Sequence, residues 1–208
     1  MRWIALLAAL LIAGAIAVGA LLAARQSSHP TQPPEGPYRG SEPPAGIRVP
    51  DATLPSYRGG TVSLRALEGK VLVVTFLDTK CTESCPIIAG EIGTALRLLS
   101  PLERSRVKSL AISVEPRLDT PASIRSFLRR RHALGKLDFL IGSVRDLRPV
   151  WNSFYVLPAL DTGNADVHSA DVRLFDRAGI WVSTLHAGVD LTPANLAHDI
   201  RVALHAKT

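Results

Sequence analysis

The chain contains 208 residues, of which 47% are hydrophobic and 20% are charged, and it carries a formal net charge of +6 with only two cysteines. This apolar content excludes a largely disordered protein, and two cysteines are too few for a small scaffold held by disulfides. The length fits one packed domain with an appended segment. Composition therefore predicts a folded domain without indicating its chemistry.

The N-terminal segment is strongly apolar. Residues 3–24 are 22 consecutive residues without a charge, placed between Arg2 and Arg25. At about 1.5 Å per residue, a helix of this length can cross a bilayer core of roughly 30 Å. The run is longer than the apolar core of a typical signal peptide, although cleavage after Ala20 is the alternative. The sequence predicts an N-terminal transmembrane helix within residues 1–25, which would anchor the protein.

Residues 26–50 have the composition of a linker. They hold seven of the 15 prolines in the chain and almost no large aliphatic side chains. Such a stretch cannot bury a core of its own, and its prolines favour an extended, semi-rigid backbone. The folded domain is therefore expected to occupy residues 51–208.

A basic cluster formed by Arg125, Arg129, Arg130 and Arg131 lies in a segment with helical spacing. Phe127 is the only aromatic residue among the arginines, so the cluster lacks a series of aromatic side chains that could stack on bases. The pattern is typical of a solvated helix face, so no nucleic-acid partner is expected.

Residues 51–208 alternate between predicted strands and helices. The run at 70–77 (KVLVVTFL) is continuous, apolar and rich in β-branched residues, which is typical of a strand buried on both faces. In chain order, we predict a hairpin of 52–54 and 61–63, a strand at 70–77, a helix at 86–99, a strand at 107–114, a helix at 121–133, a strand at 137–141, a helix from 143 to 154, antiparallel strands at 172–175 and 181–185, and a helix at 193–205. This order predicts an α/β fold in which a mixed central sheet is flanked by helices.

Both cysteines lie between the predicted strand at 70–77 and the helix that follows it. Sites in open α/β sheets form at this position. The helix N-terminus and the neighbouring Lys80 both favour a thiolate, so at least one thiol should have a lowered pKa. The spacing of Cys81 and Cys85 allows the pair to bind one soft cation or to close a disulfide. An inert structural disulfide is the alternative.

The segment at 74–86 (VTFLDTKCTESCP) is similar to the copper-binding segment of the Sco/SenC proteins, which assemble the copper centre of cytochrome c oxidase. The resemblance extends over about residues 52–205, including ISVEP at 112–116, DTP at 119–121 and VHS at 167–169. That family has a thioredoxin-like fold, a single N-terminal membrane anchor, and a copper site made of two cysteines and a distant histidine. The resemblance implies that Cys81, Cys85 and His168 are the metal ligands.

One part of the segment departs from the family. Between the cysteines, this chain has Thr82-Glu83-Ser84 where the family usually has Pro-Asp-Val. The proposed ligands are nevertheless all present, and two thiolates with one imidazole form a soft set that suits Cu(I) and accepts Cu(II). Asp166 or Asp171 is a candidate for orienting the imidazole, although an ordinary surface role is the alternative for both.

Three functions compete at this stage. The first is a copper chaperone, which is not an enzyme, and the second is a thiol-disulfide oxidoreductase that keeps the cysteines of the oxidase subunit reduced. The third is a peroxidase, which would leave the histidine without a role. The spacing C-x3-C, in place of the C-x2-C of redox thioredoxins, favours metal binding. Zinc is chemically possible but would need a fourth ligand.

The expected location rests on redox chemistry, because the charges on either side of the apolar run do not set its orientation. A copper site outside the reducing cytosol would need a thiol reductant, since vicinal thiols there tend to oxidise. We therefore expect a single-pass protein of the cytoplasmic (inner) membrane with its domain on the extracytoplasmic, periplasmic side. The expected partners are the copper-bearing subunit of cytochrome c oxidase, a copper donor and a thiol reductant.

Overall fold

The computed structural model describes residues 36–206. The predicted transmembrane helix within residues 1–25 and the first part of the predicted linker lie outside the described residues. Among residues 36–206, no helix combines the length and the apolar character that a bilayer crossing requires. The predictions for membrane anchoring therefore stay predictions.

The described elements alternate between strands and helices over most of the domain. The strands are β1 (Thr53–Pro55), β2 (Thr61–Ser63), β3 (Val71–Leu77), β4 (Val107–Ser113), β5 (Asp138–Leu140), β6 (Asp171–Phe175) and β7 (Trp181–His186). The α-helices are α1 (Ser84–Leu98), α2 (Pro101–Ser105), α3 (Pro121–Arg130), α4 (Val144–Ser153), α5 (Ala159–Thr162) and α6 (Pro193–His205), and a short 3-10 helix spans Arg65–Leu67. This order agrees with the sequence prediction apart from the short helices.

A five-stranded mixed sheet forms the centre of the domain. Its strand order is β5-β4-β3-β6-β7, with β3, β4 and β5 parallel to one another and β6 and β7 antiparallel to their neighbours. The strands β1 and β2 form a separate antiparallel hairpin, as predicted. All seven residues of β3 are buried, because helices cover both faces of the sheet.

Alternate residues of β3 contribute to two hydrophobic clusters on opposite faces of the sheet. Val73 packs in a cluster with side chains of α1, α3 and α6. Its neighbours Leu72 and Val74 pack in the other cluster, which contains Trp151 of α4. The alternation follows from the period of two residues in a strand. The predicted α/β fold with helices on both faces is therefore confirmed.

Several helix boundaries differ from the predictions. Helix α1 begins at Ser84, two residues earlier than expected, and α3 ends at Arg130 rather than at residue 133. The earlier end of α3 follows from the backbone, since His132 has a φ of 55° and cannot continue the helix. Helix α2 was not predicted, although Ser100 and Glu103 form a capping box at its start.

Part of the predicted linker packs on the domain. Arg39 and Gly40 donate their backbone N–H groups to the carboxylate of Asp199, at 2.8 and 3.1 Å. Ser41 pairs with Thr184 of β7 through two backbone hydrogen bonds. Residues 39–41 of the predicted semi-rigid linker over 26–50 are therefore bonded to the domain. The linker was predicted from its lack of large aliphatic side chains. Residues 39–41 are bonded to the domain through their backbone groups, which composition does not reveal.

Candidate metal centre

The two cysteines lie at the C-terminal end of β3, as predicted. Cys81 is in the loop that joins β3 to α1, where its N–H donates to the carbonyl oxygen of Asp78 at 3.3 Å. Cys85 is in the first turn of α1. Both side chains are buried, and neither cysteine is in a disulfide. The thiols are therefore available for metal binding or for redox chemistry.

His168 reaches the cysteines from the loop between α5 and β6. Its Nε2 atom is 3.1 Å from the Sγ atom of Cys85, although 83 residues separate them in sequence. The loop is fixed next to the histidine by a pair of hydrogen bonds between Leu157 and Ser169, each 3.0 Å long. The fold therefore brings together all three residues that the sequence resemblance singled out.

The ligand atoms of Cys81, Cys85 and His168 all lie within 4.8 Å of one another. The Nδ1 atom of His168 is 2.8 Å from the carbonyl oxygen of Ser169, which can only accept a hydrogen bond. Nδ1 therefore carries a proton, and Nε2 is the ring nitrogen that faces the sulfur atoms. Within residues 36–206, this cluster contains no fourth Cys, His, Asp or Glu ligand. Two sulfur donors and one imidazole nitrogen fit a copper ion better than a zinc ion.

Each of the two sulfur atoms accepts a hydrogen bond from a backbone N–H group. The N–H of Asp78 donates to the Sγ atom of Cys85 at 3.4 Å, and the N–H of Cys85 donates to the Sγ atom of Cys81 at 3.3 Å. Hydrogen bonds of this kind favour the thiolate over the thiol. Each sulfur atom therefore has one backbone N–H donor, which would help to stabilise its negative charge when a cation is bound.

Residues 48–205 match the sequence model of the SCO1/SenC family. The chain belongs to the SCO1/SenC family. No match was found among curated protein sequences. The match covers nearly the whole described domain, including all three clustered residues of this family member.

Solved structures of Sco proteins have the same fold as this SCO1/SenC protein. ScoI of Bradyrhizobium japonicum with copper bound is 29% identical, with a TM-score of 0.62 over 74% of this chain and 97% of that chain. BsSco, described as a cytochrome c oxidase assembly protein with a disulfide switch, is 25% identical, with a TM-score of 0.65 over 80% and 98% of the two chains. ScoI of Arabidopsis thaliana with copper bound is 22% identical, with a TM-score of 0.61 over 76% and 98%.

The two thiols of this Sco/SenC protein have different pKa values. The hydrogen bond with Cys85, helped by contact with His168, lowers the pKa of Cys81 to about 4 against the opposing effect of burial. Burial and the same hydrogen bond raise the pKa of Cys85. The predicted lowering of at least one pKa is confirmed. Its causes are the side chains of Cys85 and His168 and the backbone N–H of Cys85 in the first turn of α1, whereas the predicted effect of Lys80 is not among them.

The pKa of the His168 imidazole is also affected by the Cys81 sulfur. Burial favours neutral His168, but hydrogen bonds with Cys81 and with the Ser169 carbonyl outweigh it and raise the pKa of His168. In the metal-free protein, the Cys81 thiolate is therefore paired with a histidine that protonates readily. A bound cation would take the place of that proton.

Asp166 and Asp171 do not orient the imidazole. The Asp166 carboxylate accepts hydrogen bonds from the backbone N–H groups of Thr82 at 2.7 Å and Glu83 at 3.2 Å. Asp171 pairs with the guanidinium group of Arg173. The imidazole is held instead by the carbonyl oxygen of Ser169, which is 2.8 Å from Nδ1.

Two buried carboxylates that support the cysteine loop had no predicted role. Asp119 accepts the Thr79 N–H at 2.9 Å and the Ser113 hydroxyl at 2.6 Å, which joins the loop to the end of β4. The Oδ1 atom of Asp78 accepts the Lys80 N–H at 2.7 Å. Asp119 belongs to the DTP motif of the resemblance, so its position was marked by the sequence although its function was not.

Proposed function

We propose that this protein is a copper chaperone that binds copper through Cys81, Cys85 and His168 and delivers it to the copper centre of cytochrome c oxidase. The observation that supports this most directly is the clustering of the three ligand atoms within 4.8 Å. Membership of a family whose Bradyrhizobium japonicum member is solved with copper bound supports the choice of metal.

The donor set has the properties that a carrier of copper needs. Two thiolates give high affinity for Cu(I), and the neutral Nε2 atom of His168 adds a donor that can also bind Cu(II). Because Cys81 is already ionised, loading releases a proton mainly from Cys85 and from the imidazole. Because the chain supplies only three ligands, an acceptor protein can add a ligand of its own to the copper before this chain releases it.

We further propose that residues 1–25 anchor the chain in the cytoplasmic membrane, with the domain on the extracytoplasmic side. The uncharged run at 3–24 supports the anchor. The free thiol pair supports a supply of reductant, because copper binding and a Cys81–Cys85 disulfide exclude each other. A copper donor, a thiol reductant and the copper-bearing oxidase subunit are the partners that this function requires.

The test of copper binding is a competition titration of the reduced full chain with a coloured Cu(I) chelator. We expect one Cu(I) per chain, loss of binding in Cys81→Ser and Cys85→Ser, and at least about tenfold weaker binding in His168→Ala. The control is His205→Ala, which removes an exposed histidine at the end of α6. Binding that is unchanged in His168→Ala would contradict the three-ligand site.

Delivery needs a separate measurement. The copper-loaded chain is mixed with the metal-free copper-bearing domain of the oxidase, and the two proteins are separated and assayed for copper. We expect transfer to the oxidase domain only when its cysteines are reduced. Retention of all copper on the chaperone under these conditions would contradict delivery while leaving copper binding intact.

A second candidate function is thiol-disulfide exchange, favoured by the low pKa of Cys81 beside a second free thiol. The Cys81 thiolate would attack a disulfide of the oxidase subunit and form a mixed disulfide. Cys85 would then attack Cys81, which leaves the target reduced and the Cys81–Cys85 pair oxidised. Trapping of a mixed disulfide by metal-free Cys85→Ser would support this reaction, and absence of any adduct would exclude it.

A further inference from the structure

A polar cavity lies at the opposite end of the sheet from the cysteines. Its volume is about 300 Å³, and it is lined by the start of β4, the turn before β5, the helix α2 and the turn between β1 and β2. The residues Val71 of β3 and Val107 of β4 are paired in parallel, so this cavity lies beside the first residues of β3. At about 3.3 Å per residue, the length of β3 places it roughly 20 Å from the copper site.

Four basic side chains line this cavity, which we call the basic cavity: Arg58, Arg104, Lys108 and Lys136. Asp138 is its one acidic lining residue. The Asp138 carboxylate accepts hydrogen bonds from Lys108 at 2.8 Å and from the Ser56 hydroxyl at 2.7 Å. One carboxylate is therefore shared among four positive charges, which leaves the basic cavity with a net positive charge of three.

Two of the basic groups donate only to uncharged backbone carbonyl oxygens in the described structure. Arg104 donates to the carbonyl oxygen of Leu99 at 3.3 Å, and Lys136 donates to the carbonyl oxygen of His132 at 2.9 Å. Within residues 36–206, both ion pairs of the basic cavity involve Asp138 and neither involves these two groups. Carbonyl oxygens do not cancel a full charge, so Arg104 and Lys136 remain available to an anion.

The concave shape of the basic cavity strengthens the effect of its positive charge. Several positive groups around a concave surface focus the potential and attract anions more strongly than the same groups on a flat surface. A volume of about 300 Å³ is at the small end of the range of ligand sites. Arginine can bind an oxyanion through two parallel hydrogen bonds, while lysine binds it as a point charge.

We propose that the basic cavity binds a phosphate group, carried either by a small phosphate ester or by the headgroup of an anionic phospholipid. A phosphate oxyanion offers three or more acceptors for the arginine and lysine groups. No aromatic side chain lines the basic cavity, so it lacks the stacking surface that nucleic-acid sites use. The proposal is independent of copper binding, because the two sites share no residue.

The first test is calorimetric titration of the full chain with inorganic phosphate and with glycerol phosphate. Sodium chloride at the same ionic strength is the reference, since screening alone must not account for the heat. We expect saturable binding that the double substitution Arg104→Gln with Lys136→Gln weakens at least tenfold. Binding that remains equally tight in this double variant would overturn the proposal.

The matched control is the double substitution Arg129→Gln with Arg130→Gln, which removes the same charge from an exposed part of α3. It should leave phosphate binding unchanged, and an equal loss in this variant would also overturn the proposal, since net charge alone would then explain it. Circular dichroism and the copper affinity of both variants check that they fold.

The second test distinguishes the two sources of phosphate. Dihexanoyl phosphatidylglycerol and dihexanoyl phosphatidylcholine are titrated below their micelle concentrations. Tighter binding of the phosphatidylglycerol than of glycerol phosphate indicates a lipid headgroup. Equal or weaker binding of the phosphatidylglycerol indicates a soluble ester. Absence of saturable binding for every phosphate compound would overturn the proposal.

Discussion

Asp166 is the side chain that joins the two loops of the proposed copper site. Its carboxylate accepts hydrogen bonds from the backbone of Thr82 and Glu83 in the cysteine loop, while His168 lies only two residues further along the chain. An exposed carboxylate thus fixes the distance between ligands that are far apart in sequence. The hydroxyl of Thr82, which lies between the two cysteines in sequence, also donates to the Asp166 carboxylate at 3.1 Å.

We expect Asp166→Ala to weaken copper binding about tenfold while leaving the three ligands in place, since loss of groups that position ligands commonly costs 10- to 100-fold in metal affinity. The measurement is the Cu(I) competition titration. The control is Asp161→Ala, which breaks the ion pair with Arg148 in the same connection without touching the cysteine loop. Equal affinities for both variants would show that Asp166 has no positioning effect.

The low pKa of Cys81 predicts a specific dependence on pH in the reduced, metal-free protein. Ultraviolet absorbance should show one thiolate that persists down to about pH 4, and this signal should be absent in Cys81→Ser. Because the folded pKa lies below the unfolded value of about 8.5, the ionised thiol stabilises the folded state above that value. This contribution should decrease as the pH falls and disappear through about pH 4, and titration of both thiols near pH 8.5 would contradict the assignment.

At the scale of elements, the strands and helices that the sequence predicted are those marked by a pattern within their own residues. The apolar run of β3 and the Thr-Pro pairs that begin α3 and α6 needed no knowledge of neighbouring chain segments. Helices α2 and α5 were missed because they are only five and four residues long, too short for a period to be visible.

The stretch at residues 39–41, which is bonded to the domain, allows a prediction about stability. A Cβ atom at Gly40 would lie 2.6 Å from the carbonyl oxygen of Thr184, a backbone atom that cannot easily move. We expect Gly40→Ala to lower the free energy of unfolding by about 2 kcal/mol, as overpacked positions do. Chemical denaturation measures the change, with Gly36→Ala as control, since no atom lies within 4 Å of a Cβ there. Equal stabilities of the two variants would show that the segment does not pack as described.

At the scale of the whole molecule, the three proposed copper ligands could be named from the resemblance, but the sequence itself could not show that they lie close together. His168 precedes β6, and only the antiparallel pairing of β6 with β3 carries it to the cysteines. The basic cavity was not predicted at all, because its lining residues come from separate segments and form no local pattern. Contacts between distant segments are therefore what the sequence analysis lacked.

Copper should stabilise the folded domain because it links two loops that are separate in the unfolded chain. A free Cu(I) concentration about 100 times the dissociation constant contributes about 2.7 kcal/mol. For a protein of this size, we expect Tm to rise by roughly 5–10 °C. Differential scanning calorimetry measures the shift, and His168→Ala at the same free copper concentration should show a smaller one. An equal shift in that variant would place the stabilising metal elsewhere.

The pairing of the outer strands has a consequence for self-association. Exposed sheet edges are templates on which further chains can add. Residues 39–41 cover part of β7, where Ser41 pairs with Thr184, and the β1–β2 hairpin covers the outer edge of β5, where the Tyr57 N–H donates to Phe139 and the Ile141 N–H donates to Pro55. The domain thus covers parts of both edges with its own backbone. A second copy of the domain would find fewer open backbone groups at these edges, so the stretch that resembles a linker in sequence also protects the sheet against edge-to-edge pairing.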